Sequence, residues 1–229
     1  MTNFASAAPT PSGLPCPHPG EAGITLDAGD KWVQVVERRH NPEVVVFGNL
    51  LSTAECDALV AAAAPRLNRS MTIDVATGAE QLHTARTSQG MFFDRGETDV
   101  VQRIETRIAR LLNWPAKNGE GLQVLRYQSG AQYLPHYDYF DPAEAGTPAL
   151  LSRGGQRVAT LIMYLAEPEA GGATVFPQLG LHVAPKLGQA VFFSYAAPEP
   201  ASLSLHGGEP VLQGEKWIAT KWLRQREFT

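Results

Sequence analysis

Cysteine is scarce in this 229-residue chain, with only Cys16 and Cys56 present. That number cannot build a disulfide framework or a close-spaced zinc finger, and it suits a reducing compartment. Basic excess is also missing: the formal net charge is −4, with no basic stripe, so neither DNA nor RNA is an expected partner. No apolar run reaches membrane-spanning length, and the N-terminus lacks a basic region followed by a hydrophobic segment. A membrane is not an expected partner, and the expected location is cytoplasmic. Gly171-Gly172 and Gly207-Gly208 lack the Gly-Lys-Ser/Thr ending of a phosphate loop and read as tight turns.

What the chain does have is enough apolar content, 44%, to bury a substantial core as one domain. Residues 1–23 are rich in Ala, Pro, Ser and Gly and read as a flexible arm in which His18 is a solvated histidine. Residues 24–229 then read as a single domain. Ser52 and Glu55 make a capping-box signature ahead of an Ala-rich helix ending at Pro65, with Leu59 and Val60 toward the core. Thr98 or Asp99 caps a second helix on which Val101, Ile104, Ile108 and Leu111 recur at helical spacing. From Leu122 onward, short alternating segments bounded by Gly and Pro predict many strands. Two segments, Thr77 to Ala85 and Asp141 to Gly155, are candidate lids or inert connections.

The chemistry sits in His136-Tyr137-Asp138, with His206 and Lys216 far downstream. Alternation from Tyr133 to Tyr139 predicts a strand, on which residues two apart point the same way, so His136 and Asp138 would meet at one point. Two imidazoles and a carboxylate on one face of a metal leave the other face open, the arrangement of non-haem Fe(II) oxygenases. The histidine–aspartate pair alone is weak. Tyr127, Tyr133 and the Gly214-Glu215-Lys216-Trp217 run raise its weight. A strand over Lys216 to Leu223 would put Lys216, Ile218, Thr220 and Trp222 on one face and Trp217, Ala219, Lys221 and Leu223 on the other. An inward lysine needs an anion, which a dicarboxylate cosubstrate would supply to Lys216; Lys221 would reach solvent.

The ordered motifs carry a resemblance. Leu122 to Tyr127, Pro135 to Phe140, Arg157 to Thr160, Gly171 to Pro177, Ala190 to Phe193 and Lys216-Trp217 with Lys221-Trp222-Leu223 together resemble the prolyl 4-hydroxylase family of 2-oxoglutarate/Fe(II) dioxygenases, in its compact bacterial-type form. The likeness runs from about Glu43 to Phe228. It implies a mainly β fold with flanking helices: a double-stranded β-helix, or cupin-like jelly roll, over about 121–229, supported by about 24–120.

It also implies His136, Asp138 and His206 as iron ligands, with Lys216 on the distal carboxylate of 2-oxoglutarate. Tyr127 would bond the same carboxylate and Thr160 would help line its pocket. Arg86 and Ser88 match a mobile loop closing over a peptide substrate, and Glu120, Tyr133 and Trp222 match positions near the substrate proline. Fe(II), 2-oxoglutarate and O2 are the implied cofactor and cosubstrates, with ascorbate as reductant. The implied reaction is 4-hydroxylation of proline in a peptide or protein, releasing succinate and CO2. A free amino acid or other small metabolite is an alternative substrate for the same iron chemistry, and a non-catalytic 2-oxoglutarate sensor is a third reading. Monomer and homodimer both remain open.

Overall fold

The structure is a computed structural model and describes residues 13–17, 24–69, 72–73, 80–81 and 87–229. Among these, the capping box forms as expected: the Ser52 side chain accepts from Glu55 N, and the Glu55 carboxylate accepts from Ser52 N. Helix Thr53–Ala63 follows, passing into a 3-10 turn, Ala64–Arg66, at Pro65. Thr98 caps helix Asp99–Leu111, and Val101, Ile104, Ile108 and Leu111 are all buried. No described helix is long and apolar enough to cross a membrane.

A nine-stranded antiparallel sheet organises the domain, with the spatial order Thr25–Asp27, Trp32–Arg39, Val44–Gly48, Ala190–Ser194, Arg157–Ala166, Lys216–Arg224, Leu122–Tyr127, Gln89–Phe93 and Asn68–Arg69. A four-stranded sheet, Leu181–Val183, Thr174–Phe176, His206–Gly208 and Tyr133–His136, lies against it. The period-two alternation divides the side chains of the large sheet between two cores. Val45, Phe47, Leu161, Met163, Phe192 and Ala219 join the helix residues Cys56, Leu59, Ile104 and Ile108 on one side. Val44, Val46, Ile162, Tyr164, Val191 and Ile218 meet Phe176, Leu181 and Val183 of the small sheet on the other. The result is a jelly roll buttressed by two helices. Its functional side is the second core, between the sheets.

Some expectations change. Within residues 1–23, Pro15 and Pro17 are buried and Cys16 N donates to Leu112 O at 3.0 Å, so residues 13–17 are pinned to the end of the second helix. Proline rings gave that segment apolar surface despite its linker-like composition; the rest of the arm, with His18, lies outside the described residues. The Asp141 to Gly155 segment holds a short helix, Thr147–Ser152, fastened by Arg224, whose Nη2 donates to Leu150 O at 2.6 Å. Of Thr77 to Ala85, only Glu80–Gln81 is described, as a two-residue strand. The tight-turn reading holds at Gly171 and Gly172, whose φ values of 77° and 74° favour glycine, but not at Gly207 and Gly208, which lie within strand His206–Gly208.

Candidate active site

Strand register brings His206 to His136. The two are directly opposed where His206–Gly208 pairs antiparallel with Tyr133–His136. Close approach of these strands requires Gly207, where a Cβ would lie 2.9 Å from Tyr133 O. The strand ends at His136, however, so Asp138 does not continue the alternation expected through Tyr139; it lies in a bend just beyond. Its carboxylate is aimed by other means. Thr160 Oγ1 donates to Asp138 Oδ2 at 2.7 Å, and Arg157 Nη1 donates to Asp138 O at 3.3 Å.

The ligand atoms of His136, Asp138 and His206 lie within 4.8 Å of one another. Each imidazole Nε2 stands 3.5 Å from a different oxygen of Asp138. Each Nδ1 lies 3.0 Å from the carbonyl two residues before it, Leu134 O and Ser204 O respectively. A carbonyl only accepts, so each Nδ1 carries the hydrogen, which directs each Nε2 as the metal-binding nitrogen. Burial pushes His206 down to about 4 against the opposing pull of Asp138, which keeps it neutral. Burial pushes the Asp138 carboxyl up, but His206, His136 and Arg157 outweigh it and hold the group well below the usual range. Two nitrogen lone pairs and one carboxylate converge: a mixed donor set that fits Fe(II).

Beside this triad lies an open cavity of about 420 Å³, counting space continuous with solvent. Lys216, Ile218, Thr220 and Trp222 line it from one strand and Tyr127, Leu125 and Gln123 from its neighbour, as the alternation of the Lys216 strand requires. Lys216 is 3% exposed, and its Nζ donates to Gly172 O at 2.6 Å. The Tyr127 and Tyr164 rings lie 5.6 and 5.8 Å from that nitrogen. Among the described residues no carboxylate forms an ion pair with it, and burial pushes its pKa down to about 8. Thr174 also lines the cavity, and its Oγ1 accepts from Tyr164 OH at 2.9 Å.

Tyr133 and Trp222 line the cavity as expected; the Tyr133 ring stacks on His136 with centroids 3.7 Å apart. Trp222 Nε1 is buried and has no hydrogen-bond partner among the described residues. Thr160 does not line the cavity: Asp138 and Tyr195, whose OH is 3.1 Å away, occupy its hydroxyl. Thr174 is the strand hydroxyl beside Lys216. Glu120 is also held away from the cavity, its carboxylate receiving Arg157 at 2.6 and 2.9 Å and Arg224 at 2.9 Å. Burial raises the Glu120 pKa, but the two guanidinium groups lower it further, and the carboxylate stays charged. Glu120 acts on the site through Arg157, whose guanidinium lies 4.0 Å from the Trp222 ring centroid. Ser88 is fully buried in the short connection just ahead of strand Gln89–Phe93, and Arg86 lies outside the described residues.

Lys221 does not reach solvent. It is 2% exposed and pairs with Glu105 of the second helix, which covers that face of the strand. Thr174, Gln123, Arg157 and Tyr195 were given no role by sequence reasoning. The signal for Thr174 was its place just after the Gly171-Gly172 turn; for Arg157 it was a charged residue opening a strand that is apolar thereafter except at Thr160.

Comparisons with known proteins agree with this geometry. The model of the 2OG-Fe(II) oxygenase superfamily matches residues 122–224. Prolyl 4-hydroxylase 5 of Arabidopsis thaliana is 42% identical over 222 residues, covering 87% of this chain and 74% of that protein. Prolyl 4-hydroxylase 1 of the same plant is 43% identical over 203 residues, covering 81% and 70%. Among solved structures, the viral collagen prolyl hydroxylase of Paramecium Bursaria Chlorella virus-1, in its 2OG complex, superposes with a TM-score of 0.61 at 34% identity, covering 79% of this chain and 95% of that one. A Trichoplax adhaerens prolyl hydroxylase bound to a hypoxia inducible factor peptide shares the fold, with a TM-score of 0.57 at 15% identity over 80% of this chain and 83% of that one. With a jelly roll, a triad of two histidines and an aspartate, and relatives of this identity and extent, the chain belongs to the prolyl 4-hydroxylase family of 2-oxoglutarate/Fe(II) oxygenases.

Proposed function

We propose that the chain hydroxylates proline within a peptide or protein at C4, using Fe(II), 2-oxoglutarate and O2, with ascorbate as reductant. Fe(II), O2 and 2-oxoglutarate supply the oxidising chemistry that turns one C–H bond into C–OH, one oxygen atom going to the product and the other to succinate as CO2 leaves, while ascorbate would keep the iron reduced. The chain's own work is to bind and orient. His136 Nε2, the Asp138 carboxylate and His206 Nε2 would hold the metal. The carbonyls of Leu134 and Ser204 fix both rings, and Thr160 fixes the carboxylate.

The observation that carries the reading is Lys216, a buried cation that donates to Gly172 O and has no ion-pair partner among the described residues, in the same cavity as the triad. A buried ammonium without a counter-ion is costly, so it marks a place for a carboxylate. The distal carboxylate of 2-oxoglutarate fills that role, with Thr174 and Tyr127 as further donors. Because Tyr164 OH donates to Thr174 Oγ1, the threonine hydrogen is left to point elsewhere. Tyr133 and Trp222 frame the proline, and the relatives named as prolyl hydroxylases support that substrate class.

The test is succinate formation with Fe(II) and ascorbate over a panel of proline-rich peptides and free L-proline, with products read by mass. A peptide gaining about 16 Da in step with succinate is the expected result. Succinate coupled only to free proline, or to no peptide in a broad panel, would sink the peptidyl reading.

A further inference from the structure

The cavity face of the large sheet does not stop at the cavity wall. Residues paired across antiparallel strands share a face, so the register can be followed outward from the Lys216–Arg224 strand. Thr220 is paired with Gln123, and Gln123 in turn with Phe92; one row inward, Ile218 is paired with Leu125, and Leu125 with Gly90. Thr220, Gln123, Ile218 and Leu125 line the cavity, so Phe92 and Gly90 continue the same surface onto the next strand. Gly90 contributes no side chain, so Phe92 is the side chain that carries this face onto the strand. Phe92 is 46% exposed, although Met91 and Phe93 on either side of it are buried.

This exposed ring is continuous with the reaction site. Its centroid lies 6.3 Å from that of Trp222, the cavity residue whose indole nitrogen has no partner among the described residues. The segment that carries it is tied at both ends. Arg66 Nη2 donates to Phe92 O at 3.1 Å, and Thr87 exchanges hydrogen bonds of 3.2 and 3.0 Å with Gln132, just before Tyr133. An apolar ring fixed beside a donor suits a ligand offering apolar ring surface and a nearby carbonyl. A polyproline segment offers both, and aromatic-lined grooves recognise such segments without requiring them to order first. Its rise is about 3.1 Å per residue, so the spacing from Trp222 to Phe92 corresponds to roughly two residues of peptide.

Resting on the peptidyl-proline reading above, we infer that Phe92 is a specificity-determining residue: an aromatic ledge that binds an apolar residue, proline above all, within two positions of the proline being hydroxylated. The ledge selects for proline-rich context and against charged neighbours, since an acidic or basic side chain would lose hydration against the ring without gaining a partner.

The experiment compares wild type with Phe92→Ala and Phe92→Trp on two peptides that differ only in the residue two positions from the target, proline or aspartate. Wild type is expected to prefer the proline-flanked peptide. Phe92→Ala should lose about tenfold in kcat/KM on that peptide through KM, with the KM for 2-oxoglutarate unmoved and little change on the aspartate peptide. Phe92→Trp should restore the preference. Equal kcat/KM for wild type and Phe92→Ala on the proline-flanked peptide would overturn the ledge while leaving the hydroxylase intact. A wild type that converts neither these peptides nor a broader panel would overturn the underlying reading, and the ledge with it.

Discussion

Lys216 and Lys221 lie on one strand and face opposite sides of the same sheet, both almost wholly buried. Lys221 has an internal answer to its charge: Glu105 from the helix behind it and the carbonyl of Glu120. Lys216 has the carbonyl of Gly172 and no ion-pair partner among the described residues. The difference separates two uses of a buried cation. One ties a strand to its supporting helix, and the other is left short of a counter-ion where a substrate can provide it.

The comparison breaks most severely on the supporting side. Removing one partner of a buried pair strands the other, so Glu105→Ala is expected to lose about 3 kcal/mol of stability in urea denaturation. The double change Glu105→Leu with Lys221→Met should recover most of that loss. A single variant as stable as wild type would show that the pair does not hold the helix to the strand. On the cavity side, Lys216→Ala should leave the cosubstrate-free fold at least as stable. Its apparent KM for 2-oxoglutarate should rise roughly 30-fold. Normal cosubstrate dependence would remove Lys216 from the carboxylate site.

A gentler probe is pH. Burial lowers Lys216 from 10.5 to about 8, so between those values the unfolded chain keeps a proton that the native state gives up. Stability of the cosubstrate-free protein therefore gains from this group as pH rises through that window, while affinity for a dicarboxylate falls, by up to about tenfold per pH unit. Calorimetry near pH 8.5 in buffers of different ionisation enthalpy should register proton uptake on 2-oxoglutarate binding; Lys216→Arg should abolish it. No uptake in the wild type would place the carboxylate elsewhere. The smallest effect belongs to Tyr164→Phe, which deletes the donor that orients Thr174 and should raise the 2-oxoglutarate KM about fivefold, about 1 kcal/mol. An unchanged KM would make that hydrogen bond purely structural.

The contrast between the lysines also marks how far sequence reasoning reached. Period-two alternation placed Lys216, Ile218, Thr220 and Trp222 together, and the cavity contains all four. Caps and helical spacing located both helices, because those signals are local. Lys221 was misread because its environment depends on which face the Asp99–Leu111 helix covers, a contact between residues far apart in sequence. Thr160 and Thr174 were confused for a related reason. Both are hydroxyls on strands of the inner core, and only the bend after His136 decides that Asp138 takes the first and leaves the second to the cavity. Glu120 is expected near the substrate proline, but its pairing with Arg157 and Arg224 joins residues far apart along the chain and leaves no local signal.

The paired clips at His136 and His206 have a consequence for metal supply. With both Nδ1 atoms tied to backbone carbonyls, the two Nε2 donors are set before any ion arrives, and neither ring needs to change tautomer to bind one. A site of two nitrogens and one oxygen follows the general affinity order of divalent ions, in which copper and zinc outrank iron. Preorganisation thus strengthens the grip on competitors as well as on iron. Selectivity must come from which ions the surroundings make available, and purified protein will carry the record of the medium it was made in.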